Sequence, residues 1–185
     1  TDHLLEKGHR LLVHLSSSNG DEDLQKIRPN CLRVEGFRRA VEQKGRWLFL
    51  PEDEFFRQWP AFDRRSVLGI TVCRRQPKLE FLQRFFETRT VPDALVCPND
   101  ALAVDAILTA LAFDLRVPRD FAITGYDNDP SSRLPSVDLT TAEQDLPGIC
   151  RAAVEALVKM IEQPGCEVSG RTFPSRLFIR SSSGR

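Results

Sequence analysis

Apolar residues along this chain follow two alternating rhythms. Unbroken runs of four or five fit strands buried on both faces of a parallel sheet, and stretches with apolar residues three or four apart fit helices with one buried face. Leu11 to Leu15, Trp47 to Leu50, Ala94 to Cys97, Phe121 to Gly125 and Arg176 to Arg180 are of the first kind. Of the second kind are Cys31 to Lys44, a short stretch built on Leu79, Leu82, Phe85 and Phe86, and Asp100 to about Phe113. A last helix is predicted from Pro147, with Ile149, Cys150, Ala153, Val154, Leu157, Val158 and Ile161 along one face and Pro164-Gly165 as its stop. Residues 2–8 read as the end of a helix closed by Gly8, so the chain is expected to open partway through a larger architecture. Ser16 to Asn30 is polar and reads as a loop. Between Pro51 and Arg75 periodicity does not decide: Phe55, Phe56, Trp59 and Phe62 sit among charges, and Val67 to Val72 suits a strand or a helix segment. The alternation of strand and helix predicts an α/β fold, a mostly parallel, doubly wound sheet with helices on both faces. The Ser-rich C-terminus is expected to fray.

Composition narrows the functional classes. The 26 Lys and Arg balance the 26 Asp and Glu, so no global charge marks a nucleic-acid binder. No apolar run approaches the roughly 20 residues of a spanning helix. The five cysteines are scattered without a C-x-x-C pair, which fits a reduced, cytoplasmic setting, with Cys97 and Cys150 read as small core residues. The three histidines are equally dispersed, and no metal-ligand spacing appears. Neither a G-x-G-x-x-G nor a P-loop occurs, so no cofactor is expected.

The candidate chemistry lies at predicted strand and helix ends, where an open parallel sheet puts its ligand crevice. Arg33 stands at the start of the second helix, Asn99 follows the Ala94–Cys97 strand, and Asp127 follows the strand ending at Gly125. A carboxylate accepts from two adjacent hydroxyls, a guanidinium donates in a fork, and an amide does both, so the set suits a polyhydroxyl ligand. Each residue also has a plainer reading: Arg33 as a solvated helix residue, Asn99 or Asp100 as a helix cap, Asp127 as a turn former.

Taken together the sequence resembles the effector-binding domain of the LacI/GalR family of bacterial transcription regulators. The matching pieces are His3-Leu4-Leu5-x-x-Gly8-His9-Arg10, Arg33-x-x-Gly36-Phe37-Arg38, Pro92-Asp93-Ala94 with Asn99-Asp100, and Val117-Pro118-Arg119-Asp120. Gly125-Tyr126-Asp127, Leu139-Thr140-Thr141 with Gln144, and Arg151-Ala152-Ala153-Val154 continue them in the same order. The resemblance implies a periplasmic-binding-protein-like lobe with part of a second lobe. Residues 1–138 would be the C-terminal lobe, 139–170 a crossover and a helix belonging to the N-terminal lobe, and 171–185 a final strand and tail; the helix-turn-helix DNA-binding segment is expected to be absent from this chain. It also implies ligand contacts by Arg33, Asn99, Asp127 and Gln144, with Trp59 as the candidate cleft aromatic beside its reading as core. The surfaces after Asn99-Asp100 and after Asp127 would form a homodimer interface. The stretch from Gly45 to Pro92 departs from the family pattern and is longer.

The expected function is therefore sensing of a small polar effector, best pictured as a sugar, with operator DNA reached only through a missing N-terminal module. The alternative on the same architecture is a sugar-binding protein of a transport system. An enzyme would need a nucleophile–base pair or a metal set, and the sequence offers neither.

Overall fold

A computed structural model describes residues 1–16, 28–63, 65–74 and 78–184. The polar stretch expected between Ser16 and Asn30 falls outside them over residues 17–27. Six helices and seven strands are described: α1 (Asp2–Glu6), β1 (Leu12–Ser16), α2 (Arg28–Glu42), β2 (Trp47–Pro51), α3 (Glu52–Gln58), β3 (Gly69–Cys73), α4 (Lys78–Glu87), β4 (Ala94–Val96), α5 (Asp100–Ala112), β5 (Ala122–Tyr126), β6 (Thr140–Glu143), α6 (Leu146–Glu162) and β7 (Arg176–Phe178). One sheet runs in the order β2-β3-β1-β4-β5-β6-β7, parallel throughout except for the antiparallel β6–β7 pair. The mostly parallel, doubly wound α/β fold expected from the strand–helix alternation is what forms.

Side-chain alternation sorts this sheet into two faces. Val13, Leu15, Leu95 and Ile123 pack on one face against Phe55, Phe81, Phe85 and Phe86 of α3 and α4, and against the Leu102–Ala110 side of α5. Leu12, Ala94 and Ala122 point the other way and meet Leu4 of α1 with Phe37 and Val41 of α2. The ambiguous Val67–Val72 stretch resolves as β3, which lies between β1 and β2 and pairs with both. Five consecutive buried positions explain why periodicity could not separate strand from helix there. Close packing behind it relies on Gly69, whose added Cβ would lie 2.7 Å from Val41. The chain crosses from β3 to β4 past β1, so a switch in winding direction falls between β1 and β4, where an open sheet leaves a crevice at its carboxyl edge.

Two expectations fail for related reasons. Cys150 is exposed while Cys97 is buried, because α6 packs no residue into the lobe's core. Val154, Leu157, Met160 and Ile161 of α6 are likewise exposed, Ile161 at 69%. Conversely, the Ser-rich end does not fray over Ser181–Ser183: Ser182 is buried, its hydroxyl donates to the Ile123 carbonyl at 2.8 Å, and it accepts from the Thr140 N–H at 2.8 Å. Small hydroxyl side chains here complete backbone hydrogen bonds beside β5 and β6, which a compositional reading of serine misses.

Leu95 sits at the centre of the sheet with no exposure. Leu95→Ala is expected to lower the unfolding free energy by about 2–5 kcal/mol through cavity formation, measured by urea denaturation.

Candidate functional site

The face of the sheet shared with α1 and α2 is incompletely covered toward the carboxyl edge. Alternation places His14, Val96, Thr124, Tyr126, Thr140 and Ala142 on that face, and they line a cavity of about 610 Å³. Arg33 and Phe37 close it from α2, Pro98 from the β4–α5 turn, and Gln144 from the end of β6.

Arg33 projects from the first half of α2 with its guanidinium carbon 4.6 Å from the centroid of the Tyr126 ring. That contact occupies one face of the guanidinium and leaves its N–H fork for a ligand. The Tyr126 hydroxyl lies 3.0 Å from Ser175 Oγ, so the ring bridges the crevice to the segment before β7. Asp127 follows directly. Its N–H donates to the Ala142 carbonyl at 2.7 Å, and its carboxylate Oδ1 accepts from Gln144 Nε2 at 3.0 Å. Burial raises the Asp127 carboxyl above the ordinary range; the Gln144 hydrogen bond and the charge of Arg33 pull it back, and Asp129 adds to the rise. Arg33, Asp127 and Gln144 thus converge at one edge, from three elements far apart in sequence.

The other two sequence candidates have structural partners of their own. Asn99 caps α5: its Oδ1 accepts from the Leu102 N–H at 2.9 Å. It follows Pro98 in the turn without lining the cavity. Trp59 is 1% exposed and belongs to the opposite face, where it stacks on Phe55 at 4.9 Å and donates its indole N–H to the Thr90 carbonyl at 3.0 Å. It serves the core.

Sequence reasoning missed the group that holds this edge together. Asp100, the first residue of α5, is fully buried. Its Oδ1 accepts from the Thr141 hydroxyl at 2.6 Å and its Oδ2 from the Asp129 N–H at 2.8 Å. Gly125 makes room for it, since a Cβ there would lie 2.2 Å from Asp100 Oδ1. Burial raises the Asp100 carboxyl, against the lowering effect of these two hydrogen bonds. The loop it ties down carries two consecutive left-handed residues, Asp127 at φ 109° and Asn128 at φ 55°. Asp and Asn tolerate such backbone best among residues with a Cβ, at a cost of order 1–3 kcal/mol each. Asn128 is fixed further by Glu143 at 2.8 Å and by Arg180 at 2.6 Å. The available signal was Gly125 immediately before a Tyr-Asp-Asn-Asp turn, paired with a second acid after Asn99.

His14 is the second omission: a polar residue inside an apolar strand, 2% exposed and stacked on Phe37 at 5.1 Å. Its Nδ1 has no hydrogen-bond partner among the described residues. Burial, with help from the charge of Arg33, lowers its pKa to about 3. The unfolded chain takes up a proton near pH 6.5 that the folded chain refuses, so the neutral imidazole's contribution is complete above 6.5 and is lost as pH falls toward 3. Between pH 7 and pH 5 the stability of the chain is expected to fall about 2 kcal/mol further than that of His14→Phe, measured by denaturant titration at each pH. Parallel pH profiles would contradict this.

Comparison with known proteins agrees with the fold. The model of the periplasmic binding protein-like domain family matches residues 1–183. An arabinose metabolism transcriptional repressor from Geobacillus stearothermophilus is 31% identical over 184 residues, covering 99% of this chain and 46% of the repressor. Among solved structures, a LacI transcriptional regulator from a Rhodococcus species superposes with TM-score 0.72 at 24% identity, covering 99% of this chain and 59% of that one. The lac repressor dimer bound to operator and the anti-inducer ONPF gives TM-score 0.71 at 18% identity, covering 98% and 48%. At those identities the two structures speak for the fold. The chain spans about half the length of the repressors it matches. With a family model matched over residues 1–183, the chain belongs to the periplasmic binding protein-like domain family.

Proposed function

We propose that this chain is the effector-sensing part of a bacterial transcription regulator, and that it binds a small polar metabolite, a sugar or a nucleobase-like compound, at the carboxyl edge of its sheet. The observation that carries the proposal is that Arg33 and Gln144 line one cavity and Asp127, beside it, accepts from Gln144 and feels the charge of Arg33. Arg33 supplies a fork of donors, Asp127 accepts from adjacent hydroxyl or N–H groups, and Gln144 does both. Asn99 joins the set from the α5 cap, offering its amide N–H groups while its oxygen holds the helix. The chain acts by binding, without catalysis, in the cytoplasm.

The domain division follows the same reading: residues 1–138 form the C-terminal lobe, 139–170 a crossover and a helix of the other lobe, and 171–185 the returning strand and tail. The apolar ridge of α6 supports it, because Leu157 and Ile161 face no core among the described residues. Closure of two lobes on the effector would select one of two pre-existing arrangements, and effector and operator would change each other's affinity by the same factor. A homodimer along α5 and the segment after Asp127 is supported by the exposed Leu108, Leu111 and Leu134. Operator DNA would be reached through a DNA-binding module outside this chain, whose charge is net +0.

Calorimetric titration of the full-length regulator with a panel of sugars and nucleobases tests the assignment. Loss of two hydrogen bonds to a charged group, ~1.5–3 kcal/mol each, should make Asp127→Ala bind its effector roughly 10²–10⁴-fold more weakly. An unchanged affinity would show that Asp127 is not a ligand contact.

A further inference from the structure

The parallel sheet has a second edge. At its amino end the α1–β1 turn, the α2–β2 turn and the loop before β3 enclose a concavity of about 670 Å³, lined by Arg10, Lys44, Arg46 and Arg65 together with His9. No carboxylate lines it among the described residues. In a chain whose charges cancel overall, four cations on one concave wall are a local excess. Their side chains have no ion pair with a described residue. Two acids here bond the backbone of the cationic residues: Asp93 Oδ2 accepts from the Arg10 and Leu11 N–H groups at 2.8 and 3.3 Å, and Asp63 Oδ1 accepts from the Arg65 N–H at 3.0 Å. Those bonds fix where the Arg10 and Arg65 side chains start.

The wall is also tied together. The Arg46 carbonyl accepts from the Leu68 and Gly69 N–H groups at 2.9 and 3.2 Å, and the Leu68 carbonyl accepts from the Leu12 N–H at 2.9 Å. Gly45 lets the α2–β2 turn approach Leu68, where a Cβ would come within 2.9 Å of the leucine Cβ. Three turns carrying the four cations are therefore held in one register by backbone hydrogen bonds.

We infer that this concavity is a binding site for a soluble, multiply charged phosphate anion of the pyrophosphate or nucleotide polyphosphate type. Guanidinium forks match phosphate oxygens in pairs, and a dense charge on a small ligand suits three Arg and one Lys converging from separate turns. The site is distinct from the effector cleft: it lies at the opposite ends of the strands, roughly 15 Å away across a five-residue strand.

Titration of the chain with sodium pyrophosphate at low ionic strength, followed by calorimetry, tests the inference, with a short DNA duplex titrated in parallel. Pyrophosphate should bind, and Arg46→Gln and Arg65→Gln should each weaken it roughly five- to twentyfold, the range left after solvent screening of charge-assisted bonds. Arg133→Gln, an exposed arginine outside the concavity, should leave the affinity within about twofold. Absence of pyrophosphate binding, an equal loss in Arg133→Gln, or binding of the duplex alone would each overturn the assignment.

Discussion

The carboxyl edge of this sheet depends on one buried carboxylate. Asp100 joins the first turn of α5 to the end of β6 through Thr141 and to the loop after β5 through the Asp129 N–H. Those bonds act together with the Glu143 and Arg180 contacts of Asn128 to hold the strained backbone of Asp127 and Asn128. A buried charge is costly, and its retention here makes sense as the means of holding a ligand-facing loop in a conformation it would not adopt alone. Gly125 belongs to the same device, since a side chain there would occupy the place of the carboxylate. Through this link the positions of Asp127 and Gln144 are set before any ligand arrives, which is the condition for binding without a large ordering cost.

The fold was largely legible because its signals are local. Apolar runs bounded by Pro, Gly and polar turns located β1, β2, β4 and β5, and the helical spacing after Asn99 located α5. Gly69 to Cys73 was not legible, since five buried positions in a row carry no period. Helix α2 begins at Arg28, before the first apolar position that could announce it. Cys150 misled because amphipathic spacing reports an apolar face without saying what covers it; no residue of α6 is buried by the described residues.

The site was legible in part. Arg33, Asn99 and Asp127 could be chosen from residue type and position at element ends, Gln144 only from the family resemblance; Asp127 lies against Gln144 and within the influence of Arg33. Trp59 was a candidate only through the family resemblance, beside its reading as core; it is buried against Phe55 and Phe85. Asp100 and His14 escaped notice because their roles arise from contacts across the sheet, with Thr141 41 residues away and Phe37 on another element. Long-range hydrogen bonds leave no periodic trace in a sequence.

The two edges of the sheet offer opposite chemistry, an acid–amide–guanidinium cluster at one end and a cationic wall at the other. The central claim concerns the first. A crystal structure of the full-length regulator with whichever sugar or nucleobase binds it should place ligand oxygen or nitrogen atoms within hydrogen-bond distance of Arg33, Asp127 and Gln144, with Asp100 still bonded to Thr141 and Asp129. A ligand seated away from all three of those side chains would contradict the account.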